Sequence, residues 1–168
     1  MILEMALNYL MWAQYSTDGG WRYSADPAIE RGDTSVVGWA LMGLKSGDMA
    51  YLMVSDESFR GASQFLDSVQ ANGGATYGYT DPGGSASSAT TAIGLLCRMY
   101  LGWDRDNKAL QQGVKALGEH GPAKANLYYN YYATQVLRHY GGDTWEKWNE
   151  QMREHLIVTQ SKRGHPAG

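Results

Sequence analysis

Glu30 and Asp33, three residues apart in the run Glu30-Arg31-Gly32-Asp33-Thr34-Ser35, could act as a carboxylate pair in acid catalysis. One carboxyl group can protonate a weak base if a neighbouring carboxylate keeps it protonated and oriented. Asp33 also stands directly before an apolar run, where its side chain can accept the free N–H groups of a helix's first turn. The sequence leaves both uses open.

A second group of residues is aromatic. Trp21, Tyr23, Tyr77, Tyr79, Tyr128, Tyr129, Tyr131 and Tyr132 fall in two loop segments and in a tyrosine-rich helical stretch. Aromatic faces attract cations and stack on sugars, and the same side chains also fill ordinary interfaces. The candidate ligand-binding residues are Trp21, Tyr23, Asp33, Tyr77, Tyr79, Tyr128, Tyr131 and Tyr132, for a small apolar ligand or a glycan. None of them is assigned a catalytic role.

Other chemistries lack their residues. Cys97 lies in an apolar run and reads most simply as a small buried residue. His120, His139, His155 and His165 show no H-x-x-x-H or H-x-H spacing, so neither a metal nor a cofactor is expected. There is no serine-centred nucleophile elbow, and Gly83-Gly84-Ser85 lacks the lysine of a phosphate-binding loop. A formal net charge of −3 points to no nucleic acid and no anionic membrane surface. No apolar stretch is long enough to span a bilayer. The single cysteine allows no intrachain disulfide, and the compartment is left open.

These candidates are positioned by elements that repeat. The phrase Tyr9-Leu10-x-x-x-Gln14-x-x-x-x-Gly19-Gly20-Trp21 returns as Phe65-Leu66-x-x-x-Gln70-x-x-Gly73-Gly74, with Tyr77 near the place of Trp21. Leu156-x-x-x-Gln160-x-x-x-Gly164 begins a third copy. Downstream of the first two lie Thr34-Ser35-Val36-Val37-Gly38-Trp39-Ala40-Leu41 and Thr90-Thr91-Ala92-Ile93-Gly94-Leu95-Leu96-Cys97. Gln14 to Gln70 and Thr34 to Thr90 share an offset of 56 residues, so the repeated unit is a pair of segments. A third unit is divergent, with Tyr129-Asn130-Tyr131-Tyr132-Ala133-Thr134 in place of the threonine-glycine run.

Apolar periodicity predicts seven helices, over 2–15, 34–45, 57–70, 88–101, 105–118, 127–140 and 144–160, and no convincing strand. The segments 34–45 and 88–101 are apolar all round, which buries a helix on more than one face. The segments 57–70 and 105–118 are amphipathic, and 144–160 carries Trp145, Trp148, Met152, Leu156 and Thr159 on one stripe. Asp33, Asp104 and Asp143 are placed to cap helix starts, and Gly102 and Gly141-Gly142 to end helices. The segment 46–55 can extend the helix before it. The alternation describes an inner and an outer layer, with the loops 16–33, 71–87 and 119–126 all at the N-terminal ends of the inner helices. Gln14 and Gln70 are expected to bond nearby backbone groups, since a helix leaves carbonyls unpaired at its C-terminus that a glutamine amide can serve.

The glutamine-glycine-aromatic phrase resembles the Gln-Trp repeat of squalene–hopene cyclases, in the terpenoid cyclase and protein prenyltransferase α/α-toroid superfamily. The resemblance covers essentially all of 1–168. It implies an all-α fold, an incomplete α/α toroid of about three to four helical hairpins, in a single domain that reads as a fragment of a longer chain. Class II cyclases of this superfamily begin an inner helix with Asp-x-Asp-Asp-Thr-Ala, whose third position is the catalytic acid. Here Asp33-Thr34 matches the end of that phrase and Gly32 occupies the acid position; a glycine has no proton to donate. The zinc thiolate of the prenyltransferases needs an Asp-x-Cys pair, and Leu95 stands two residues before Cys97. The thioester phrase Gly-Cys-Gly-Glu-Gln of complement-like relatives is absent.

The resemblance therefore implies a squalene cyclase-like repeat domain without its acid in this segment, binding a small apolar ligand, a glycan or a partner protein. The alternative is part of an active terpenoid cyclase whose acid lies outside this segment; a third reading is a purely structural module. The implied structural partner is the remaining half of the toroid or a second copy of the chain.

Overall fold

In the computed structural model, residues 2–25, 31–83 and 86–161 are described. They form seven α-helices: α1 (Ile2–Trp12), α2 (Thr34–Met49), α3 (Asp56–Val69), α4 (Ser88–Tyr100), α5 (Lys108–His120), α6 (Leu127–Tyr140) and α7 (Gly142–Thr159). The only sheet among the described residues is a small hairpin, β1 (Gln70–Ala71) and β2 (Thr76–Tyr77), with Gln70 opposite Tyr77 and Ala71 opposite Thr76. Sequence periodicity does not find this hairpin because it is a turn with two pairs. Asn72, Gly73 and Gly74 all take positive φ there, at 50°, 67° and 96°.

The caps explain most helix limits. Asp33 caps α2, its Oδ1 accepting from Ser35 N at 2.9 Å and Val36 N at 3.0 Å. Ser87 and Thr90 form a reciprocal capping box at α4. Two expected caps are displaced. Asn107, not Asp104, caps α5, so the helix starts later than 105; Asp104 serves the turn before it through Asp106 N. Asp143 lies inside the first turn of α7, which begins without a side-chain cap. The 46–55 segment does extend α2, as far as Met49.

The helices are layered. α4 packs against α2 on one side and α6 on the other, while α1, α3, α5 and α7 pack outside this row. Apolar content predicts the order of burial for α4, which is buried from Thr90 through Arg98. It overstates burial for α2: Trp39 is half exposed, because the side of α2 turned away from the outer helices meets no further layer among the described residues. The stripe on α7 is likewise only partly covered. Trp148 and Met152 are buried, and Leu156 is half exposed at the end of the row.

Close approach in the inner row depends on glycine. A Cβ on Gly38 would lie 2.5 Å from Ile93 Cγ2, and one on Gly94 would lie 2.2 Å from Tyr77 Cγ. Behind Tyr77 sits a buried cation. Arg98 donates from Nε to the Tyr77 hydroxyl at 3.1 Å and from Nη1 to Ser63 at 3.0 Å, pairs with Asp67, and lies over the Trp103 ring at 5.0 Å. A buried guanidinium is tolerable only when paired and hydrogen-bonded in this way.

Gln14 bonds nearby backbone carbonyls, as expected, whereas Gln70 meets a side chain. Gln14 Nε2 donates to Gly19 O at 2.8 Å, in its own loop, and to Ser58 O at 2.9 Å, on the next outer helix. The carbonyl near the end of α1 is served instead by Trp21, whose Nε1 donates to Leu10 O at 2.7 Å. Gln70 accepts from Arg98 Nη2 at 3.3 Å. Gln14 thus joins neighbouring outer helices and Gln70 an outer helix to the inner α4, roles that their spacing alone cannot reveal.

Two stability changes follow. Gln14→Ala removes the donor from two carbonyls at the α1–α3 junction and should cost about 1–2 kcal/mol in urea unfolding. Arg98→Met leaves the Tyr77 hydroxyl buried and unpartnered and should cost about 2–3 kcal/mol in the same measurement. A wild-type midpoint for either variant would contradict these roles.

Candidate functional site

The N-terminal ends of the inner helices meet at one place. Thr34 donates from its hydroxyl to Gly78 O at 2.7 Å and from its backbone N–H to Tyr79 O at 2.9 Å. Thr90 donates from its hydroxyl to Tyr77 O at 2.8 Å. Consecutive carbonyls of one loop therefore hold the first residues of α2 and α4 side by side. The first turns of α6 reach the same region from the other side, bringing Tyr131 and Tyr132 onto Trp39 of α2.

An open group of aromatic rings results. Trp39 and Tyr131 stack, with ring centroids 5.6 Å apart and planes 22° from parallel. Tyr132 meets Trp39, Tyr128 and Tyr131 edge-on at 5.6, 5.2 and 5.2 Å. The Tyr131 hydroxyl lies 3.7 Å from the Met42 sulfur. Ser35, Trp39, Met42 and Ser46 share one face of α2, since they recur at helical spacing and each is at least partly accessible.

The expected site residues divide. Tyr128 and Tyr131 are partly exposed members of the group, and Tyr79 is half-buried beside Asp33 and Ser35. Tyr23 is the most exposed of them, at 86%. Tyr132 is buried beneath the other rings. With Tyr132, three further candidates are not open to a ligand in this arrangement. Trp21 and Tyr77 are core residues, because their rings cover α1 and α4 from within. Asp33 is wholly buried as the cap of α2; its Oδ1 also accepts from the Ser35 hydroxyl, and its Oδ2 lies 3.8 Å from Arg22 Nε. Glu30, the other half of the suggested acid pair, lies outside the described residues, as do Gly84, Ser85, Gly164 and His165.

Trp39, Met42 and Ser35 are the residues that sequence reasoning missed. Trp39 sits in a run so apolar that it reads as interior. The signal that could have found it is positional: Trp39 occupies the place of Leu95 in the second unit, 56 residues on, yet it is half exposed where Leu95 is buried.

The chemistry of the group is that of neutral aromatic surface. Burial raises the ionisation of Tyr79, Tyr128 and Tyr132 above the ordinary phenol value, and hydrogen bonding to Ser35 only partly opposes it for the first two. These hydroxyls remain protonated at neutral pH and are not poised as bases. Tyr129 is pushed up to about 12 by burial and packs on Trp148. Cys97 is buried, and burial pushes its thiol up to about 12, so it is neither a nucleophile nor a ready metal ligand. Among the described residues no three His, Cys, Asp or Glu side chains come together as a metal site. No helix among them is long and apolar enough to cross a membrane.

No protein-family model and no curated protein matches the chain.

The raised thiol gives a pH-dependent expectation. An unfolded cysteine ionises near ~8.5, and folded Cys97 near about 12. Its contribution to stability is complete below the unfolded value and is lost as pH rises through this window. Native protein at pH 8 should leave Cys97 unreactive toward an aromatic disulfide reagent, with one thiol released on unfolding in urea. Rapid release from native protein would contradict this burial.

Proposed function

We propose that this chain is a squalene cyclase-like repeat segment that lacks the cyclase acid and binds a small apolar ligand on the inner face of α2 and α6. The observation that carries the reading is the open stack of Trp39 and Tyr131, flanked by Tyr128 and Met42 at the N-terminal end of the inner helices. Large rings left accessible beside one another, with mostly apolar neighbours, favour an apolar guest. A glycan is less favoured. It needs several exposed polar partners, and Asp33, beside Tyr79 and Ser35, is wholly buried, with its Oδ1 taken up in capping α2.

The toroid itself belongs to this proposal. The alternation of inner helices α2, α4 and α6 with outer helices α1, α3, α5 and α7 supports it, as does the recurrence of the glutamine phrase at outer-helix ends. Gly32 supports the lack of an acid, and its position leaves no room for one. A Cβ there would lie 2.7 Å from Gly20 Cα and 2.9 Å from Trp21 N.

The test is a titration with farnesol, followed by tryptophan fluorescence, with maltotetraose in a parallel arm. Farnesol should bind saturably, and Trp39→Ala or Tyr131→Ala should weaken binding by about tenfold, equivalent to ~1.4 kcal/mol of lost contact. Binding of maltotetraose alone, or farnesol binding indifferent to both substitutions, would defeat the reading. Squalene incubated with the protein should give no cyclised product. A product that disappears in Asp33→Asn would make the chain a cyclase.

A further inference from the structure

The aromatic group has a polar edge where its helices begin. The first turns of α2 and α6 contribute hydroxyls there, from Ser35 just after Thr34 and from Tyr128 just after Leu127. The loop after β2 adds Tyr79. The Tyr128 hydroxyl lies close to the side chains of Tyr132, Trp39 and Ser35, and the Tyr79 hydroxyl lies close to those of Ser35 and Asp33. Ser35, Tyr79 and Tyr128 are all partly accessible. One turn further along both helices the surface is apolar. Trp39 and Tyr131 stack with ring centroids 5.6 Å apart, and Met42 follows, its sulfur 3.7 Å from the Tyr131 hydroxyl.

This edge is incompletely bonded. The Tyr132 hydroxyl and Asp33 Oδ2 are buried beside it, and neither completes a hydrogen bond. Buried polar groups are ordinarily paired, because desolvating one without a partner costs free energy. Two unmet atoms at one place mark a strip that a further polar group would complete. Tyr128, at 39% exposure, is the accessible neighbour of the buried Tyr132. The strip is also balanced in charge. Arg22 Nε lies 3.8 Å from Asp33 Oδ2, so these two charges offset each other, and the phenols are neutral at neutral pH. A carboxylate or an ammonium brought here would be desolvated against a pair already matched, which is costly. A hydroxyl both donates and accepts, and so suits a row of hydroxyls.

We propose that the guest of this site is a neutral amphiphile, an apolar body with one terminal hydroxyl. Its hydroxyl is held at Ser35, Tyr79 and Tyr128, and its body lies along Trp39, Tyr131 and Met42. The inference rests on the apolar-ligand reading and adds to it the head group and the direction of binding. A pure hydrocarbon occupies the same rings and leaves the strip unbonded.

The test compares probes that share one skeleton: farnesol, farnesene, farnesoic acid and farnesylamine. Each is titrated against the full chain by tryptophan fluorescence. Farnesol should bind at least about tenfold more tightly than the two charged probes. The ratio of farnesol to farnesene affinity should fall about fivefold in Tyr128→Phe, which keeps the ring and removes the hydroxyl, and likewise in Ser35→Ala. Taking the ratio cancels any general change in apolar binding. Trp39→Ala should instead weaken both probes together. A ratio unchanged in both hydroxyl variants, with binding still dependent on Trp39, would overturn the head-group assignment and leave the apolar-ligand reading standing. Tightest binding of farnesylamine or farnesoic acid would overturn it in favour of a charge held by Asp33 or Arg22. No binding of any probe would overturn both readings.

Discussion

Much of this molecule depends on the loop at 77–79, whose successive carbonyls accept hydrogen bonds from the starts of two helices. Thr90 bonds the first of these carbonyls, and Thr34 bonds the next two. Helix starts have free N–H groups and hydroxyl caps to satisfy, and here they satisfy them in part on a shared strip of backbone. This sets α2 beside α4 with their N-termini together, and the pairing of Gly38 with Ile93 then lets the two helices close up. Displacing this loop would move the helix ends, and with them the Trp39 ring that stands one turn further along α2.

Tyr77 joins this backbone strip to the buried cation. Its carbonyl takes the Thr90 hydroxyl, its ring covers Gly94, and its hydroxyl receives Arg98. Arg98 in turn reaches Ser63 and Asp67 of α3, so one tyrosine connects an inner helix to an outer one through polar contacts inside the core. Trp21, its counterpart 56 residues earlier, does related work with other atoms. The Trp21 carbonyl accepts the Asp33 N–H, while its indole N–H serves the end of α1. Both rings are therefore consumed by the scaffold. The aromatic surface that remains open comes from helix faces that meet no further layer among the described residues.

That same shortage of neighbours explains the other accessible apolar surfaces. Among the described residues no third layer covers the inner face of α2 and α6, and the outer sides of α1 and α7 are uncovered. Packing inside the row is close enough that glycines are required, whereas at its edges large side chains such as Tyr9, Trp12 and Ile157 stand in solvent. Apolar surface of this kind favours association because covering it removes it from water.

The sequence by itself determined the seven helices, their alternation and most of their limits. Helical periodicity, caps such as Asp33 and the 56-residue recurrence are local properties that the chain carries wherever it folds. It also located the helices whose first turns bring Tyr128, Tyr131 and Tyr132 together. Tertiary structure decided which aromatics are scaffold and which are open. Trp21, Tyr77 and Tyr131 look alike as residue types, and only the third has a free side. Trp39 looked like core because its neighbours are apolar, and Asp33 offered both a cap and a site, of which the fold uses the cap. Packing decided both, since exposure depends on which elements come to lie against a residue, and that is settled by contacts between segments far apart in the chain.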